Sequence, residues 1–158
     1  MKKSLTHINE SGNARMVDVS GKVDTIRTAS AYAEVKVSNE VFEAIENDLI
    51  EKGDVLSVAK LAGILGAKKT SELIPLCHNI FISKIDIELK LNKKNHTVEI
   101  KSFAKTTAKT GIEMEALTAV SISALTVYDM CKAIDKSSVI KEIKLLTKNG
   151  GKSGDYRI

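Results

Sequence analysis

The chain has 158 residues, 43% hydrophobic and 28% charged, with 24 Lys and Arg against 20 Asp and Glu for a net charge of +4. That length suits one domain with a substantial core, so a single domain over residues 1–158 is expected, and no apolar run approaches the ~20 residues of a membrane helix. Three Phe, three Tyr and no Trp leave few rings on which bases could stack, and no basic run or groove-reading motif is present, so the charge points to an anionic small molecule before a nucleic acid.

Residues 1–13 are polar and are expected to be mobile. No apolar stretch follows Lys2 and Lys3, so no secretory signal is read, the cytoplasm is the expected location, and Cys77 and Cys131 are expected as reduced thiols. Ala14 to Val19 reads as a short strand and Thr25 to Val37 as a longer one, with Ala31, Ala33, Val35 and Val37 on one side. Ser38 is placed to cap a helix over Asn39 to Glu51, whose apolar face is Val41, Ile45, Leu49 and Ile50 and whose stop is near Gly53. Asp54 caps the next helix, Val55 to Leu65. Gly66, Lys68 and Lys69 then lead to a helical turn at Ser71 that Pro75 ends.

The spacing of Ile82, Ile85, Ile87, Leu89 and Leu91 predicts a half-buried strand over Ile80 to Leu91. After a turn at Asn92 to Asn95, His96 to Thr107 returns as its hairpin partner, with Val98, Ile100 and Phe103 only roughly alternating. Gly111 to Asp135 reads as a long helix packed through Leu117, Val120, Ala124, Leu125 and Tyr128, and Val139 to Thr147 as the last strand. The final stretch, residues 148–158, is glycine-rich and cationic and is expected to be a flexible loop. Strand, helices, strand, strand, helix, strand predicts an α+β fold, a ferredoxin-like antiparallel sheet with helices on one face.

The long helix carries charge only at its ends: Glu113 and Glu115 open it, Asp129 and Lys132 close it, and no charge lies between Glu115 and Asp129. Carboxylates first and a lysine last suit the helix dipole, which by itself explains a well-capped core helix. At 1.5 Å per residue, however, Glu115 and Asp129 stand roughly 21 Å apart, too far for one small-molecule site in one chain. The small side chains between them admit a close neighbour. A second copy lying antiparallel would bring Glu115 of one chain to Asp129 of the other.

Asp129 and Lys132 are helix neighbours, readable as a surface ion pair or as a proton-exchanging pair. Lys52 stands before Gly53, either completing a helix end or facing a ligand. Cys77 and His78 are too few for a zinc site, and His78 is a surface residue or a substrate contact suited to proton transfer. The segment GGKSG at Gly150 to Gly154 lacks the spacing of a phosphate loop, since Leu146 stands where the first glycine is needed. A lid carrying Lys148 and Lys152 competes there with an unstructured tail.

Taken together, MVDVS at Met16 to Ser20, KGDV at Lys52 to Val55, IPLCH at Ile74 to His78, KTGIEMEALTA at Lys109 to Ala119, YDMCKA at Tyr128 to Ala133 and GGKSG resemble the cyclic pyranopterin monophosphate synthase family of molybdenum cofactor biosynthesis. The resemblance runs from Leu5 to Tyr156 in order and spacing. It departs at Asn79, where the family has proline, and at Ala108, where glycine is commoner. It implies a lyase that converts a cyclised dihydroguanosine triphosphate to cyclic pyranopterin monophosphate and pyrophosphate, without a cofactor. It implies Asp129 as the acid/base with Lys52 and Lys132 beside it, and Leu76, Cys77, His78, Glu113, Met114, Glu115 and Lys148 around the substrate. It further implies a ferredoxin-like hexamer, a trimer of dimers with sites shared between subunits.

Residue chemistry agrees with that implication. Moving protons while a reduced purine ring opens and recloses suits Asp129 with lysines whose pKa neighbouring cations lower, and expelling pyrophosphate needs cations on the triphosphate. Glu113 and Glu115 would repel phosphate, so their place is at the ring, accepting its N–H donors. Two other readings stay open: a small RNA- or nucleotide-binding module, with salt-sensitive binding and no turnover, and a structural helix seam between subunits.

Overall fold

The computed structural model describes residues 11–152 and 154–158, so the expectation for residues 1–10 lies outside the described residues. The elements are β1 (Thr25–Lys36), α1 (Asn39–Glu46), α2 (Val55–Lys68), α3 (Thr70–Leu73), β2 (Lys84–Asn92), β3 (Thr97–Ala108), α4 (Glu113–Cys131), β4 (Val139–Asn149) and β5 (Tyr156–Arg157). One antiparallel sheet takes the order β2-β3-β1-β4-β5, and α4 crosses β1, β3 and β4 with α2 beside it. This is the ferredoxin-like α+β arrangement, extended at one edge by β5.

Period two in β1 sends Ala29, Ala31, Ala33 and Val35 under the helices, each nearly fully buried. Their small size lets α4 lie close. In β3 the buried set is Val98, Ile100, Ser102, Ala104 and Thr106, so Phe103 falls on the opposite face, which explains why its alternation with Val98 and Ile100 is imperfect. In β4, Ile140, Ile143 and Leu145 sit opposite Val35, Ala33 and Ala31. Register shifts between Glu34 and Val35 and between Ser30 and Ala31 reset the phase, so an irregular apolar spacing still serves one face.

The caps behave as read: Ser38 Oγ accepts from Val41 N, and Asp54 Oδ1 accepts from Ser57 N at 3.0 Å. Other boundaries move. Ala14 makes an isolated bridge and the expected strand to Val19 does not form. α1 stops at Glu46, leaving Leu49 exposed while Ile50 stays buried, and α2 runs through Gly66 to Lys68. β2 begins only at Lys84.

On α4, Leu125 points outward, and the small residues Ala119 and Ser123 face α2 of the same chain. Ser123 Oγ donates to the Ala59 carbonyl at 2.9 Å. A Cβ on Gly63 would run into Ser123 Oγ and the Ala119 carbonyl, so glycine is what permits this approach. Closing the α2–α4 pair over the sheet buries Ile87, Ile100 and Val120 almost completely, and Phe42 of α1 is buried against the His96 ring. Each such side chain contributes about 1.5–3 kcal/mol. The same packing holds α4 in place with charged side chains at each end.

The tail departs from expectation. β4 continues to Asn149, and the chain turns back so that Tyr156 pairs with Lys148 and Arg157 with Thr147. Gly150 N donates to Asp155 Oδ1 at 3.0 Å, and Ile158 N to the Leu146 carbonyl at 3.0 Å. Lys148 is thus a strand residue between β1 and β5, and only Lys152 sits in the connecting turn.

Candidate active site

At the C-terminal end of α4, Asp129 holds one lysine on each carboxylate oxygen. Lys132 Nζ is 2.7 Å from Oδ1 and Lys52 Nζ 2.9 Å from Oδ2, and Lys52 also donates to the Asp129 backbone carbonyl at 2.8 Å. Lys52 comes from the connection between α1 and α2, not from a helix end as read from sequence. Hydrogen bonds from Lys132 and Lys52, and their charge, hold the Asp129 carboxyl down to about 2, and Asp129 raises Lys132 in turn. The expectation of a lysine with a lowered pKa is therefore corrected for Lys132, whose nearest charge is a carboxylate. The carboxylate is charged, and it accepts the hydrogen bonds that the two ammonium groups donate.

At the other end, Leu76, Cys77 and His78 behind α3 meet Met114 and Glu115 in the first turn of α4, with Thr110 and Gly111, around a cleft of about 150 Å³. Ser102 Oγ donates to the Ala116 carbonyl at 2.8 Å and pins this turn to β3. His78 Nε2 lies 2.7 Å from the Val17 carbonyl oxygen, and since a carbonyl only accepts, this nitrogen carries the proton. Burial first, then the Glu115 charge, raises the Cys77 thiol. It is not an activated nucleophile.

Glu115 is 4% exposed. Burial pushes its carboxyl up to about 7 against the pull of a backbone hydrogen bond, with the Glu113 charge adding to the rise. The native state therefore keeps this proton where the unfolded chain, with an ordinary value near 4.5, has lost it. Native chains bind more protons in that window, so stability falls as pH rises from about 4.5 to about 7. Glu115→Gln removes the load: the variant is expected to gain up to about 3 kcal/mol over wild type at about pH 8 and nothing at about pH 4.5. Urea unfolding at fixed protein concentration measures the gap, and a gap equal at both pH values would show that the buried carboxyl is not its cause.

Thr110 and Gly111 also line a second, wider cleft of about 700 Å³, with Lys22, Arg27, Lys109, Lys148 and Lys152 around it. Lys148 Nζ pairs with Glu113 Oε1 at 2.6 Å. A Cβ on Gly111 would occupy the place of the Glu113 carboxylate, so glycine here lets Glu113 fold back toward the lysine. Glu113 thus sits between the small cleft and the basic one. Sequence reading missed Arg27, Lys22 and Lys109 as cleft residues. Nothing in their local pattern marks them, because strand register and loop closure bring them together. Among the described residues, no three His, Cys, Asp or Glu side chains gather as a metal-binding group, and no helix is long and apolar enough to cross a membrane. A depression of about 580 Å³ beside Lys60, Asp86 and Phe103 contains none of the candidate residues.

A carboxylate clasped by two lysines stands at one end of α4, and at the other a small cleft shares Thr110 and Gly111 with a cationic one, an arrangement on a ferredoxin-like frame that suits an anionic small molecule. The chain belongs to the MoaC family, whose model matches residues 16–151. It is 62% identical over 152 residues to the cyclic pyranopterin monophosphate synthase of Peptoclostridium acidaminophilum, covering 96% of each chain. It is 56% identical over 156 residues to that of Clostridium acetobutylicum, covering 99% of this chain and 97% of the relative. It is also 51% identical over 155 residues to that of Parvibaculum lavamentivorans, covering 98% of this chain and 97% of the relative.

Proposed function

We infer that this chain is a cyclic pyranopterin monophosphate synthase, a lyase of molybdenum cofactor biosynthesis that rearranges (8S)-3',8-cyclo-7,8-dihydroguanosine 5'-triphosphate and releases pyrophosphate. The observation that carries the reading is near-full-length identity of 51–62% to relatives of that name. The site's geometry fits the chemistry. Five cations around the wide cleft suit a triphosphate, and the small cleft that shares Thr110 and Gly111 with it offers Glu115, Met114, Leu76, Cys77 and His78 to the guanine-derived ring in this reading. Asp129 accepts a proton from a ring nitrogen or hydroxyl, while Lys132 or Lys52 returns one. The pyrophosphate leaves as its charge is taken up by the cationic cleft. No redox step is needed.

Because Asp129 and the substrate cleft lie at opposite ends of α4, one complete site takes the cleft from one subunit and Asp129, Lys52 and Lys132 from another. The assembly in this reading is a hexamer built as a trimer of dimers, in the cytoplasm. The wide cleft is compatible with a nucleotide-binding module as well, but such a module gives Asp129 and its two lysines no task. Incubating the purified protein with the cyclised triphosphate and measuring pyrophosphate separates the two: release supports the synthase, and binding without release rejects it.

Lys148→Ala is expected to lower kcat/KM by about tenfold or more, the loss of one charge-assisted hydrogen bond. The effect should fall mainly on KM if Lys148 holds phosphate in the ground state. Unfolding curves should show only a small change, because each member of the Glu113–Lys148 pair keeps partial contact with water. An unaltered kcat/KM would remove Lys148 from the site.

A further inference from the structure

The segment Met16–Ser20 has no regular secondary structure, and only Val17 and Val19 are half-buried. Two side chains from separate parts of the fold grip its backbone. His78, beyond α3, donates from Nε2 to the Val17 carbonyl at 2.7 Å, and Lys109, just after β3, donates from Nζ to the Ser20 carbonyl at 2.8 Å. Between these grips the strap is locally tied, since Asp18 Oδ1 accepts from Ser20 N at 2.8 Å and the Val19 carbonyl accepts from Lys22 N at 3.0 Å. The Lys109 end is itself anchored. Arg27 donates to the carbonyls of Ala108 and Lys109, each at 3.3 Å.

The bond to Val17 commits Nε2 of His78 to be the protonated nitrogen, which leaves Nδ1 of the neutral ring as an acceptor. That assignment lasts only while the Val17 carbonyl stays in place. Of the two grips, the lysine makes a charge-assisted bond, the stronger kind, and it is braced by Arg27. Without it, among the described residues, the strap is held at this end by its own turn alone, and the imidazole loses the acceptor that sets its tautomer and ring orientation. We propose that Lys109 is a positioning residue for His78, acting through the backbone of the Val17–Ser20 strap. The importance of His78 to turnover rests on the synthase reading; the physical link between the two side chains does not.

The link is tested on ligand-free protein. Imidazole N–H protons exchange with water too fast to be seen by NMR unless a hydrogen bond protects them, so wild type should show a His78 Nε2–H resonance that is absent in His78→Gln. In Lys109→Met this resonance should vanish or exchange about tenfold faster, while Lys109→Arg retains it. By reciprocity, amide exchange at Ser20 and Lys22 should quicken in both Lys109→Met and His78→Gln. An unaltered resonance in Lys109→Met overturns the proposal, and with a raised KM it makes Lys109 an anion contact only. A lost resonance supports the link whatever the turnover. If kcat/KM were then unchanged, the place of His78 in the proposed site would be what fails.

Discussion

Asp129→Asn is expected to fold normally and to lose turnover by about 10² to 10⁴, the range for removal of a general acid or base. The amide keeps the shape of the carboxylate but accepts no proton, and it sets an NH₂ group against one of the two lysines that now hold the oxygens at 2.7 and 2.9 Å. The fold should tolerate this because the Asp129 side chain is 55% exposed and exposed pairs contribute little to stability. The loss should appear in kcat. A well-folded variant with near-normal kcat would remove Asp129 from the chemistry and leave its lysines as surface partners.

The second large effect is a recovery of activity from two inactive proteins. Glu115 lies in the first turn of the 19-residue α4 and Asp129 in its last turn. Their separation of roughly 21 Å exceeds what one substrate can bridge while its reacting groups are held within a few ångströms. Glu115→Ala and Asp129→Ala should therefore each be nearly inactive alone, yet activity should return when they are unfolded and reassembled together. In a mixed dimer both lesions fall in one site and the other is intact. Random pairing makes half the dimers mixed, so recovery approaches about a quarter of wild type. Mixed dimers demonstrated by mass spectrometry, yet as inactive as their parents, would mean that the site is completed within one chain.

Both results depend on α4 being a stiff spacer, and that property was legible in the sequence. Charges confined to its ends and an uncharged, small-residue middle marked a largely buried helix with charged groups at each terminus. The motifs around Asp129, Lys52, His78 and Glu115 were equally legible, because motifs are local. The neighbour that fills the small-residue surface was not. It proved to be α2, through Gly63 and Gly66, and a glycine inside a helix says nothing by itself about what approaches it.

By itself, the sequence determined the order of elements from β1 to β4, the two helix caps at Ser38 and Asp54, the helix-facing side of β1, and the chemical types at each end of α4. All of these are set by neighbours a few residues apart, through 2.0 and 3.6 periodicity and capping bonds. Only the tertiary structure decided that Lys148 belongs to the sheet, that Glu113 pairs with it, that Arg27, Lys22 and Lys109 join one cationic cleft, and that Glu115 is buried enough to hold its proton to about 7. The physical reason is the same in each case. Charge pairing and desolvation depend on distance through space, and residues such as Lys22, Arg27, Lys109 and Lys148 become neighbours only when antiparallel pairing brings β3 and β4 to either side of β1.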